Sequence, residues 1–263
     1  MKKLLEMCTY AKDKFGGTML IMTGNIAHPD TYYEYAKAGI DYVRVGIGGG
    51  SACLTSVQSG VHYGQATLLI DTVNAKNKVI SEFFGGNQLY KSIPEIIADG
   101  GMSSYSKIIK ALAVGADYVM IGKMFAECEE ACGEIMWSTS LESFMHGNVY
   151  SHKMVSRLTE DVEIYGEFCF GNIPNEISEL KPFREYYGMS TKRAQKITGG
   201  DGNKTSEGIS RPVEVKYPVK KLLDNVESYL RSCMTYTNSN TLSDLKNAEV
   251  VILGGSGDSS YRK

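Results

Sequence analysis

The sequence predicts an α/β fold of parallel β–α–β units. Two observations carry that expectation. Short apolar strands alternate with amphipathic helices through the first half of the chain, and several strands run straight into loops rich in glycine. A parallel pair needs a connection of a dozen or more residues, usually a helix, and the spacing here supplies one each time.

Taken in order, Leu4, Leu5, Cys8, Ala11 and Phe15 recur at helical spacing and mark a first helix. Met19 to Met22 reads as the first strand. Asp30 to Ala38 reads as a helix, with Pro29 just before its start. Asp41 to Val45 is the second strand and Gln65 to Ala75 the next helix. Glu95 to Ala98 is a third strand ending at Asp99, with Ser104 to Val114 as its helix. Asp117 to Ile121 is the fourth strand.

Composition excludes several classes of function. The 263 residues carry a net charge of −2, which leaves no electrostatic footprint for nucleic acid. No apolar run approaches the roughly 20 residues that span a bilayer. The cysteines, at 8, 53, 128, 132, 169 and 233, show no paired metal spacing and fit a reducing, cytoplasmic setting. Cys128 and Cys132 lie four apart on a predicted helix, either as half a metal site or as two thiols on one face. Residues 1–263 are read as a single domain, long enough for one substantial core.

The stretch from Val45 to Thr55 carries the most chemistry. A strand enters a loop holding Gly46, Gly48, Gly49, Gly50 and Ser51, followed by Cys53 and Thr55. Glycines let backbone approach a ligand, and successive N–H groups can cradle an anion. A cysteine at the end of such a loop sits where a nucleophile could meet a phosphate-bearing substrate. The plain alternative is a packed, inert thiol.

Further motifs follow along the chain. They are Gly24-Asn25, Gly60-Val61-His62-Tyr63-Gly64-Gln65, Ala98-Asp99-Gly100-Gly101, Val119-Met120-Ile121-Gly122, Tyr187-Gly188-Met189-Ser190, Ser206-Glu207-Gly208, and Leu230 to Tyr236. In this order and spacing, together with the Cys53 loop, they resemble the IMP dehydrogenase / GMP reductase family. The resemblance implies a (β/α)8 barrel of the TIM type, of which this chain holds only the C-terminal half, about four βα units. Gly24-Asn25 would close the fifth strand of such a barrel and Gly122 the eighth. Insertions at about 83–94 and 136–184 and a tail at 250–263 make up the remaining length. Tyr150, Tyr165, Phe168 and Phe170 make the longer insertion either an interaction surface or a small core of its own.

Half of a barrel leaves two sheet edges and one face uncovered. The expectation is therefore a second polypeptide supplying the N-terminal half barrel, a copy of the same chain, or a truncated product, with an oligomer as the working form. The resemblance further implies a purine nucleotide substrate, GMP or IMP, attacked at C2 by Cys53. Ser51, Gly100, Gly101 and Gly122 would line the phosphate, with Lys204 near it and Asp99 on the ribose. Met189, Ser190 and Gly208 would complete the substrate site. Lys123 stands where the family has a small residue, and would either pair with the phosphate or close the pocket. A monovalent cation such as potassium would be held at Gly48, Gly50 and Cys53.

Gly188-Met189-Ser190-Thr191 and the short stretch from Thr191 to Ser206 are similar to the reductase and lack the dehydrogenase flap. That implies NADPH as cofactor, with Thr55 and Glu207 protonating the departing ammonia. The alternatives are IMP dehydrogenase-like activity and a non-catalytic purine-nucleotide-binding subunit.

Overall fold

A parallel sheet and an antiparallel sheet, each of four strands, organise the chain. The computed structural model describes residues 1–86, 89–151, 179–199 and 205–251. These group into two units: residues 1–51, 55–121 and those from Glu227 onward form the first, and residues 52–54 and 122–226 the second. Lys204, the middle of the 136–184 insertion (with Tyr165, Phe168 and Phe170) and all but the start of the 250–263 tail lie outside the described residues.

The first unit runs α1 (Lys2–Phe15), β1 (Met22–Ile26), α2 (Thr31–Ala38), β2 (Tyr42–Val45), α3 (Thr55–Ser59), α4 (Gln65–Phe84), β3 (Glu95–Asp99), α5 (Tyr105–Ala113) and β4 (Tyr118–Met120). Its strand order is β1-β2-β3-β4 and every pair is parallel, as the sequence predicts. Two boundaries differ. The first strand starts at Met22 rather than Met19, and α4 continues nine residues beyond Ala75. Leu68, Thr72, Ala75 and Val79 continue one buried stripe at helical spacing, so the polar run Lys76-Asn77-Lys78 does not end the helix.

Alternation along the strands separates the two faces of this sheet. Val43, Val45, Ile96 and Ala98 are fully buried on one face, the side on which α4 and α5 pack. The opposite face carries Met22, Tyr42, Arg44, Ile97, Asp99 and Tyr118, as the register Met22↔Tyr42 and Gly24↔Arg44↔Ile97↔Tyr118 requires. Met22 and Tyr118 are about half exposed there, at 52% and 51%. The rings of Tyr42 and Tyr118 meet edge to face at 5.9 Å. One face is thus a finished core and the other an apolar surface bearing a charged centre.

The second unit runs α6 (Lys123–Ala126), β5 (Ile135–Ser138), α7 (Leu141–Met145), β6 (Tyr150–Ser151), β7 (Lys181–Tyr187), α8 (Lys192–Ile197) and β8 (Ser210–Glu214), in the antiparallel order β6-β5-β7-β8. Tyr150 is buried with Leu180 and Trp137, so this aromatic of the insertion belongs to a local core. Phe144 of α7 stacks against Phe183 of β7 at 5.4 Å. The residue ranges of α9 (Val219–Tyr236) span both units, and α10 (Leu242–Leu245) belongs to the first.

The helix expected to carry Cys128 and Cys132 ends earlier, at Ala126. The buried Arg184 guanidinium donates to the carbonyls of Ala126, Cys128, Glu129 and Gly133, and so replaces helical hydrogen bonds with side-chain ones. Among the described residues no group of three His, Cys, Asp or Glu is placed to hold a metal ion.

Candidate active site

In the first unit the loops leaving the strand C-termini converge. Gly46 follows β2 with φ +131°, and a Cβ there would stand 2.0 Å from the Asp99 carbonyl oxygen and 2.3 Å from Gln65 Oε1. Only glycine lets the two strand ends come this close. Gln65, the first residue of α4, donates from Nε2 to the Val45 carbonyl at 2.9 Å. Farther along, Gly49 lies flat on the Gly100–Gly101 backbone, where a Cβ would meet Gly100 C and Gly101 N at 3.1 and 3.2 Å. Gly100 and Gly101 both have positive φ. The structure therefore brings the glycine loop and the Asp99-Gly100-Gly101 turn together.

Asp99 is the charged centre of the open face. Its Oδ2 accepts from Arg44 Nη2 at 2.6 Å, Arg44 Nε at 3.0 Å and Asn25 Nδ2 at 2.8 Å. Asn25 Nδ2 also reaches the Gly46 carbonyl at 2.8 Å. Strict alternation would send Asn25 to the helix side with Thr23. The register shift between Gly24 and Ile26 adds one residue to β1 and lets the amide reach Asp99 instead. Arg44 was not singled out from the sequence. A charged residue between Val43 and Val45, in a strand whose other face is buried, is the signal that could have found it.

In the second unit Cys53 pairs as an isolated antiparallel bridge with Gly208. The Leu54 N–H donates to the Glu207 carbonyl at 2.6 Å and the Ile209 N–H to the Ala52 carbonyl at 3.0 Å. A Cβ on Gly208 would fall 2.9 Å from Ser190 Oγ and 3.0 Å from the Ala52 carbonyl oxygen. Cys53, Glu207, Gly208 and Ser190 thus share one small neighbourhood, with Cys53 and Glu207 both half-buried. Thr191, the cap of α8, fixes the turn by donating to the Gly188 carbonyl at 2.7 Å and accepting from the Ala194 N–H. Met189 is 75% exposed at its tip. Thr55 opens α3 in the first unit.

Gly122 caps α6 and faces Tyr186, whose hydroxyl would stand 2.5 Å from an added Cβ. Lys123 Nζ is drawn to Glu127 Oε1 at 3.4 Å, and Lys216 Nζ approaches the same oxygen at 3.1 Å. Tyr217 donates its hydroxyl to Glu127 Oε2 at 3.1 Å. The Lys123 ammonium therefore shares a carboxylate partner with Lys216.

A model of the IMP dehydrogenase / GMP reductase domain matches residues 1–161. The chain is 38% identical over 122 residues to an inosine-5'-monophosphate dehydrogenase of Tritrichomonas foetus, a match covering 46% of the chain and 23% of that protein. It is 30% identical over 230 residues to a GMP reductase of Photobacterium profundum, covering 87% and 51%. An inosine-5'-monophosphate dehydrogenase of Haemophilus influenzae is 31% identical over 238 residues, covering 90% and 40%. The chain spans about half, or less, of the length of these relatives.

Proposed function

The chain belongs to the IMP dehydrogenase / GMP reductase family, and from that premise we propose that it carries the nucleotide-side half of an NADPH-dependent GMP reductase-like site. The pairing of Cys53 with Gly208 is the observation that carries the reading, because it sets the nucleophile beside the Glu207 segment. In the proposed reaction Cys53 Sγ bonds to C2 of GMP. The C2–N2 bond breaks and ammonia leaves with a proton delivered through Thr55 and Glu207, help worth roughly 10²–10⁴-fold in rate. NADPH, when bound, would supply the hydride that C2 receives. Cleavage of the C–S bond releases IMP and restores the Cys53 thiolate.

The glycine loop and the Gly100–Gly101 turn would hold the phosphate with Ser51, Gly122 and Lys204, and Asp99 would take the ribose. A potassium ion at Gly48, Gly50 and Cys53 follows from the family resemblance, and backbone carbonyl oxygens would suit such a hard cation. The open face of the parallel sheet supports a barrel completed by four further βα units on a second polypeptide, within an oligomer. Among the described residues no helix is long and apolar enough to cross a membrane. Among the described residues no disulfide joins two cysteines.

Absorbance at 340 nm with GMP and NADPH tests this. The chain alone is expected to be silent, and addition of the first four βα units of a GMP reductase to restore turnover that Cys53→Ala abolishes. Turnover by the chain alone overturns the need for a complement, and turnover by Cys53→Ala overturns the covalent route. The 38% match to an IMP dehydrogenase favours a second reading. NADH formation from IMP and NAD by the same complemented pair, without NADPH oxidation by GMP, would establish it instead.

A further inference from the structure

We propose that Arg44 and Asn25 are positioning residues that turn the Asp99 carboxylate so that one oxygen is reserved for the hydroxyls of a bound ribose. The proposal rests on the purine-nucleotide reading above and adds the residues that set its sugar specificity.

The geometry is unusual for an arginine. A guanidinium facing a carboxylate commonly spreads two N–H groups over both oxygens. Here Arg44 brings Nη2 and Nε to the same oxygen, Asp99 Oδ2, and Asn25 Nδ2 adds a third donor to it. An ionised carboxylate has about four lone-pair sites over its two oxygens. Crowding three donors onto Oδ2 leaves Oδ1 with no hydrogen-bond partner among the described residues. The Asp99 side chain is 18% exposed, so Oδ1 is an acceptor fixed in direction at the edge of the open face.

The same cluster fixes the neighbouring loop. Asn25 Nδ2 also holds the Gly46 carbonyl, and Gly46 packs against the Asp99 backbone. The acceptor for a sugar and the start of the glycine loop are therefore held by one amide. A carboxylate oxygen only accepts, so its ligand must donate. A vicinal diol does so, and a sugar lacking one hydroxyl loses part of that contact. A simple strand tie between β2 and β3 would need neither the one-oxygen arrangement nor Asn25.

Equilibrium binding of GMP and 2'-deoxy-GMP to the full chain separates the two roles, with thermal midpoints recorded alongside. The unsubstituted chain is expected to prefer GMP by about tenfold, the effect of one charge-assisted hydrogen bond. Arg44→Gln should cut that preference to about twofold and leave 2'-deoxy-GMP affinity within twofold of its original value. Asn25→Ala, which keeps the guanidinium, should give an intermediate preference, and it serves if Arg44→Gln does not fold. Equal weakening of both nucleotides, or full preference retained in both variants, overturns the positioning role while leaving the nucleotide reading intact. Failure of the unsubstituted chain to bind either nucleotide overturns that reading and the inference with it.

Discussion

Arg184 lies 3% exposed and no carboxylate pairs with it among the described residues, yet its four carbonyl acceptors hold the whole turn from Ala126 to Gly133. Replacing it by Leu would keep the burial and strand these carbonyls without donors, at about 1–3 kcal/mol for each that water cannot reach. The expected result is a loss of about 3 kcal/mol in urea unfolding. A loss below about 1 kcal/mol would show that the turn relaxes to solvent. At Gly46 the constraint is steric. Gly46→Ala places a methyl 2.0 Å from a backbone oxygen at φ +131°, so either the loop moves or the strand ends part. GMP affinity should fall at least tenfold, read by the same binding measurement. The glycine run was legible in the sequence because the residue type itself reports the conformation. Arg184 was not, because between Phe183 and Glu185 it looks like any solvated charge, and its partners lie more than 50 positions away.

At the scale of elements, Asp117 ties three of them together. It stands just before β4 and accepts from Lys76 of α4 at 2.6 Å, Lys246 beside α10 at 2.8 Å, and the Ile96 N–H of β3 at 2.8 Å. Burial pushes its carboxyl up, but the hydrogen bonds from Lys246, Lys76 and Ile96 outweigh that and hold it below the ordinary carboxylate value. A group depressed in the folded state stabilises fully above its unfolded pKa, near 3.9, and loses that stabilisation as pH falls through the folded value. Asp117→Asn should therefore cost about 2 kcal/mol at pH 7, because it leaves the largely buried Lys76 with only the longer pairing to Glu95 at 3.7 Å. The gap between the two proteins should narrow as pH drops below about 4. Urea midpoints at pH 7 and pH 3.5 read both, and a gap that widens in acid would refute the assignment.

The parallel units were legible because each strand and helix is specified locally, by period and by its bounding glycines and caps. Ser104, for example, caps α5 through the Lys107 N–H. The antiparallel sheet was not. Ile135–Ser138 pairs with Lys181–Tyr187 across more than 40 intervening residues, and no local period encodes that register. The Asn25 contact was hidden for a related reason, since a one-residue bulge reverses which face a side chain takes.

At the scale of the molecule, the proposed complement bears on the face carrying Met22, Tyr42 and Tyr118. A parallel sheet is ordinarily covered on both sides, and among the described residues this one has a finished core on one. Covering two tyrosines and a methionine removes on the order of 200–300 Å² from water. At about 25 cal/mol per Å² that favours association by several kcal/mol before its entropic cost. A second four-unit half, placed so that its own inward face meets this one, covers the tyrosines and gives both edge strands neighbours. Under the proposed split barrel it would also enclose Asp99 and Arg44 and strengthen their pairing by excluding water. Tyr118→Lys should weaken binding of the complementing half at least tenfold in sedimentation velocity, since the added ammonium would have to be buried or displaced. Tyr118→Phe keeps the area and should bind as the unsubstituted chain does. Equal binding by all three would place the contact elsewhere.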